Sequence, residues 1–139
     1  MNQTKRYSAG VVIIRDGRDE PEYLLLRAFK HWDFPKGMVE AGEQPLETAI
    51  REVEEETTLR DIEFLWGNDF IETPPYNRGK VARFYVAQWR SGNVDLPVNP
   101  DLGWPEHHAF EWMTFERAND VLVERLRDVL SWARAMSSP

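Results

Sequence analysis

The sequence predicts an α/β fold with a mixed β-sheet, on three observations. Segments with strand character come first, then one strongly amphipathic helix, then strands again, and helical periodicity returns only at the C-terminus. No internal repeat and no linker-like stretch divides the 139 residues, so they are read as one domain spanning 1–139. An apolar content of 42% is enough for a core at this length.

The elements follow in order. Arg6 to Arg15 reads as a strand, because Val11-Val12-Ile13-Ile14 is rich in β-branched residues and Asp16-Gly17 stops it. Tyr23 to Leu26 is continuously apolar, which suits a strand buried on both sides. His31 to Gly37 is a short extended piece entering a loop. Pro45 fits the first turn of a helix, where its missing N–H costs nothing. Leu46, Ala49, Ile50 and Val53 then recur at helical spacing, predicting a helix from Pro45 to about Thr57 with these four residues on its core face. Ile62 to Ile71 and Val81 to Trp89 read as strands on either side of a Pro/Gly-rich connection. A loop covers 91 to 105, and Phe110 to Met113 is the last strand. Thr114 is placed to cap a helix running to about Val121. Val123 to Met136 carries Leu126, Val129, Leu130 and Ala133 on one face of a longer helix.

Composition removes several function classes. The absence of cysteine excludes disulfides, thiolate zinc sites and cysteine nucleophiles. No apolar run approaches membrane-spanning length and the N-terminus lacks a signal-peptide core, so a cytoplasmic protein without membrane association is expected. A net charge of −7 argues against broad electrostatic attraction to nucleic acid. An anionic ligand therefore needs bound cations and a local basic wall.

The central helix carries the chemistry. Glu52, Glu55 and Glu56 stand at i, i+3 and i+4, side by side on an arc roughly 120° from the predicted core face. They occupy the half of the helix where the macrodipole disfavours negative charge. Clustered hard oxygen donors of this kind suit Mg2+ or Mn2+, which in turn bind phosphates. Glu54 points away and reads as solvated. Gly37, in the preceding loop, offers a bare backbone carbonyl to a metal, and Lys36 beside it is a candidate phosphate contact. Arg51 is spaced to reach back and clamp Glu43, supporting the site structurally.

Gly37, Glu43, Arg51, Glu52, Val53, Glu55, Glu56 and Leu59 resemble the Nudix box. That motif is a glycine, a glutamate six residues on, then Arg-Glu-apolar-x-Glu-Glu-x-Gly-apolar, and eight of its nine defining positions agree here. The departure is Thr58, which stands where the family has a glycine suited to a left-handed helix cap. The flanking pattern is similar to a Nudix domain over nearly the whole chain, which implies an α/β/α sandwich. The resemblance further implies hydrolysis of a nucleoside diphosphate linked to another group, with Mg2+ (or Mn2+) held by the Gly37 carbonyl, Glu52, Glu55 and Glu56. The metals would neutralise phosphate oxygens and activate water. The proton acceptor stays open among Glu55, Glu52 and an acid outside the helix.

Glu106 is the candidate outside acid, for catalysis and for metal binding. The segment Glu106-His107-x-Ala109-Phe110-x-Trp112 looks like that of asymmetrical diadenosine tetraphosphate hydrolases. Tyr23-Leu24-Leu25-Leu26, His31-Trp32-x-x-Pro35-Lys36-Gly37 and the Trp112 to Ala118 helix entry point the same way. His107 and His108 read as hydrogen-bonding or surface residues, since a hard-cation site prefers oxygen. A dinucleoside polyphosphate needs cations for its phosphates and aromatic faces for its bases. Lys36 and Lys80, with Arg27, Arg78 or Arg83, are candidates for the basic wall. Tyr76, Phe84 and Tyr85 are candidate stacking groups, with at most one of the last two facing the ligand.

The leading expectation is asymmetrical cleavage of diadenosine tetraphosphate to ATP and AMP. Alternatives are an RNA 5′-pyrophosphohydrolase, which would bind an RNA 5′ end, and a pyrophosphatase of (oxidised) nucleoside triphosphates. A non-catalytic nucleotide sensor is disfavoured by the complete carboxylate set. No obligate protein partner is implied.

Overall fold

The computed structural model describes residues 7–139; Arg6, the first residue of the expected N-terminal strand, lies outside them. The elements in chain order are β1 (Tyr7–Asp16), β2 (Pro21–Ala28), β3 (His31–Asp33), β4 (Lys36–Met38), α1 (Pro45–Thr57), β5 (Asp61–Glu63), β6 (Ile71–Glu72), β7 (Val81–Ser91), β8 (Val98–Asn99), β9 (Trp104–Pro105), β10 (Ala109–Thr114), α2 (Phe115–Val121) and α3 (Glu124–Ser137). They form an α/β/α sandwich around a mixed sheet of order β10-β2-β1-β7-β5. β1 and β7 run parallel while the other pairings are antiparallel.

Side chains alternate across the central strands, so β1 and β7 feed two cores. On one face Val11 and Ile13 meet Ala49 and Val53 of α1, with Leu59 and Tyr85. On the other, Val12, Ile14, Phe84 and Val86 meet Leu126, Val129, Leu130 and Ala133 of α3. Each fully buried Leu or Val contributes roughly 1.5–3 kcal/mol of transfer free energy, so the two helices are held mainly by these faces. Among the described residues no helix is long and apolar enough to cross a membrane.

The two-sided burial of β2 and the Thr114 cap of α2, which accepts from the Arg117 N–H, agree with expectation. Three features differ. The expected strand Ile62–Ile71 is two short strands, β5 and β6, pairing with opposite ends of β7. A turn intervenes, with Gly67 at φ +90° and its N–H bonded to the Phe64 carbonyl, and its Gly-Asn-Asp sequence outweighs the flanking apolar residues. The loop over 91–105 contains the β8–β9 hairpin, closed by Gly103 at φ +83°. Ile50 is 44% exposed, whereas Thr48 is fully buried. The buried arc of α1 is thus rotated toward the side that carries Glu52 and Glu56, because β4 packs against that side.

Candidate active site

The chain approaches α1 through β4, whose register with β1 places Gly37 opposite Ala9 and Lys36 opposite Gly10. At Gly37 the backbone passes so close to α1 that a Cβ would lie 2.1 Å from Glu52 Cδ. The absence of a side chain therefore creates the space that the Glu52 carboxylate fills. One residue earlier, the Lys36 N–H donates to Glu56 Oε1 at 3.2 Å. Strand β4 thus presses two of the three helix carboxylates into place from the backbone.

Glu56 is half-buried. Burial pushes its carboxyl well above the ordinary range, and Glu106 and Glu52 push it further by repulsion. Burial also raises Glu52, against the pull of Arg51. Glu55 stays exposed at the rim. Glu106, on the loop after β9, comes across to Glu56 and accepts from Asn99 Nδ2 of β8 at 3.4 Å. One ligand atom each from Glu56, Glu106 and His107 lie within 4.8 Å of one another. This group borders a cleft of about 740 Å³ between α1 and the β8–β9 hairpin. Glu56 and Glu106, crowded together with only the Lys36 N–H and Asn99 Nδ2 bonded to them, form an environment that a divalent cation relieves. The donor set fits such an ion.

The expected clamp between Arg51 and Glu43 is present, with Nε to Oε2 at 2.7 Å and Nη2 to Oε1 at 3.0 Å. Arg51, joined by the Thr48 hydroxyl, holds the Glu43 carboxyl at about 2. The same guanidinium reaches further than expected, to Glu52 at 3.0 Å and Glu55 at 3.1 Å. It therefore ties the loop to two of the candidate ligands. Glu54 is exposed and pairs with Arg60 at 2.8 Å. Thr58 takes the left-handed cap conformation, φ 66°, that the departure from glycine made questionable. Its N–H still closes the helix on the Glu54 carbonyl at 2.9 Å.

Lys36 also faces a further acid. Its Nζ lies 3.3 Å from Asp33, and Asp33, Tyr76 and Glu56 together raise its pKa although burial alone would lower it. Tyr76 sits on a tight turn closed by two backbone bonds with Lys80. The Arg125 guanidinium covers the Tyr76 ring at 3.8 Å from its centroid. Arg125 Nε is buried without a hydrogen-bond partner, which makes Arg125 a candidate contact that the helical pattern of α3 did not single out. Two stacking candidates are withdrawn. Phe84 is fully buried, edge-on to Phe34. Tyr85 is 4% exposed and packs against Phe70, so neither ring offers a face to a base. Arg83 stacks on Phe70 and pairs with Glu72 at 2.8 Å, and Arg27 is bonded to the Phe29 carbonyl. His108 packs its ring on Phe29, as a surface residue would. His107 instead turns inward to the carboxylates.

Fold and site define an α/β/α sandwich with an acidic cluster borne on its central helix. The chain belongs to the Nudix family, whose NUDIX domain profile matches residues 4–133. It is 33% identical over 103 residues to the asymmetrical bis(5′-nucleosyl)-tetraphosphatase of Mus musculus, covering 70% of this chain and 67% of that one. It is 28% identical over 112 residues to an RNA pyrophosphohydrolase of Brucella anthropi, covering 70% and 64%. Among solved structures, a C. elegans Ap4A hydrolase binary complex superposes with a TM-score of 0.77, at 24% identity, over 94% of this chain and 96% of that one. Nudix hydrolases use divalent metal ions, and the chain is read as a pyrophosphohydrolase on this membership.

Proposed function

We propose that the protein hydrolyses dinucleoside polyphosphates, cutting diadenosine tetraphosphate asymmetrically to ATP and AMP with Mg2+, or Mn2+ in its place. The observation that carries this reading is the convergence of Glu52, Glu56 and Glu106 on one cleft, with the Tyr76–Arg125 pair as a second, aromatic and cationic group. The first group suits cations on a polyphosphate; the second suits a base and its nearest phosphates. The relatives named for tetraphosphate cleavage support the choice of substrate.

In this reading Glu52, Glu55, Glu56 and Glu106, with the Gly37 carbonyl, hold the metal. A bound divalent cation supplies charge neutralisation at the phosphates and lowers the pKa of a water. Residues of the chain do the positioning. Gly37 and the Lys36 N–H fix Glu52 and Glu56; Arg51 and Glu43 brace the loop; Lys36 and Lys80 draw the polyphosphate inward. Glu52, Glu55 and Glu106 are the candidate proton acceptors. Glu106 is carried on a loop rather than on α1, so it can be reoriented independently of the helix ligands. The enzyme acts in the cytoplasm on soluble nucleotides. An RNA 5′ end is the second reading; Arg83 and Arg27 are engaged within the protein, which removes them from the basic wall of either substrate.

A substrate panel with Mg2+ and Mn2+ tests the proposal. Diadenosine tetraphosphate, 5′-triphosphorylated RNA, oxidised dGTP and ADP-ribose are compared by kcat/KM with products separated by chromatography. The tetraphosphate is expected to lead. A higher kcat/KM for triphosphorylated RNA would replace this assignment with the RNA reading.

A further inference from the structure

The inward turn of His107 has a consequence for metal choice, and it rests on reading the α1 carboxylates as a cation site. Two ligands of one first-row ion stand no farther apart than about twice a 2.0–2.2 Å bond. A set already within 4.8 Å closes on an ion with small side-chain rotations. Two elements bring this set together, α1 and the loop between β9 and β10. Glu56 is held from β4 by the Lys36 N–H, Glu106 is held from β8 by Asn99, and His107 follows Glu106 on the loop into β10. His107 is half-buried, so its position comes from packing rather than from solvent-side mobility. Lys36, whose N–H bonds Glu56, has its Nζ turned to Asp33. The exposed His108, one residue on, faces Phe29 and does not compete.

We propose that His107 supplies an imidazole nitrogen to the ion held by Glu56 and Glu106, so that this position takes Mn2+, Co2+ or Zn2+ in preference to Mg2+. Mg2+ takes oxygen donors almost exclusively and keeps its waters, whereas the later first-row ions accept imidazole readily. Mg2+ is then left to the all-oxygen side of the site, at Glu52 and Glu55.

The test uses Mn2+ on the full chain and reads coordination, not turnover. Pulsed electron paramagnetic resonance detects a directly bound 14N by its modulation of the Mn2+ echo. Among the chain's 3 histidines, the modulation is expected in the wild type, retained in His108→Gln and lost in His107→Gln. By calorimetry His107→Gln should weaken Co2+ binding on the order of tenfold or more while moving Mg2+ binding by less than about twofold. Bound Mn2+ without nitrogen modulation in the wild type would overturn the proposal and leave the carboxylate site standing. Modulation that persists in His107→Gln would overturn it equally. No Mn2+ binding at all would bring down the metal-site reading with it. The wild-type spectrum can refute the proposal by itself, so poor folding of the variant does not protect it.

Discussion

Gly37→Ala is the sharpest probe of how the strand positions the helix. The new methyl carbon would lie 2.1 Å from Glu52 Cδ and 2.2–2.4 Å from its two oxygens, against an ordinary contact of 3.4 Å or more. The carboxylate must therefore move by about 1.3 Å, the shortfall in the Cδ contact. The atoms in the way are the end of a flexible side chain, so the helix and sheet stay in place while Glu52 swings aside. Gly37 has no positive φ, and alanine in its place reduces unfolded-chain entropy by roughly 0.5–1 kcal/mol, which offsets part of the crowding. A misplacement near 1 Å at a catalytic group costs on the order of 10²-fold in rate, or about 2.7 kcal/mol of transition-state stabilisation. The expected result is a kcat/KM about 10²-fold lower, weaker metal binding and a melting temperature close to that of the wild type. A double-mutant cycle localises the effect: in a Glu52→Gln background, Gly37→Ala should cost far less than it does alone. Wild-type activity and metal affinity in Gly37→Ala would refute the reasoning. So would full additivity in the cycle.

The remaining predictions concern the charges around α1. Glu56→Gln should lower turnover on the order of 10²–10⁴-fold while raising metal-free stability at neutral pH, read by activity and thermal melts. The sign follows from linkage: a carboxyl raised above its ordinary 4.5 keeps a proton in the folded state that the unfolded chain has released. Wild-type stability therefore declines as pH rises from about 4.5 through the folded value, and Glu56→Gln should flatten that decline. Arg51→Ala should lower both melting temperature and kcat/KM, because Glu43, Glu52 and Glu55, with Glu40 at 3.7 Å, lose their common partner. Glu43, held at about 2, contributes stability above its ordinary 4.5 that is lost as pH falls toward 2; melts of the variant should lose this acid dependence. Thr58→Gly should add roughly 1 kcal/mol of stability, by relieving a β-branched residue at φ 66°, and leave kcat unchanged in denaturant melts and steady-state assays.

What the sequence revealed divides along physical lines. Helix α1 was legible because its limits rest on local signals, Pro45 and a 3.6-residue period, and they match at both ends. The pairing of Arg51 with Glu43 was legible because spacing on a helix and its preceding loop constrains reach. The rotation of the α1 face was not: Ile50 has the right period and hydrophobicity, and only the approach of β4 decides that Thr48 and Glu56 go inward. The break between β5 and β6 was signalled by Gly67-Asn68-Asp69, a cue outweighed by the apolar residues around it. Phe84 and Tyr85 could not be separated from stacking groups by alternation alone, because β7 is covered on both faces. His107 and Arg125 owe their places to contacts between distant elements, α1 with the loop before β10 and α3 with the turn before β7, which a one-dimensional pattern does not carry.

The central claim is that this cleft hydrolyses a dinucleoside polyphosphate asymmetrically, with a divalent cation on the α1 carboxylates. The direct measurement is product analysis of diadenosine tetraphosphate incubated with the purified wild-type chain and Mg2+, with and without excess EDTA. Equimolar ATP and AMP, formed only with the metal, are the predicted result. ADP as the sole product, no cleavage with the metal present, or cleavage that survives EDTA would contradict the account.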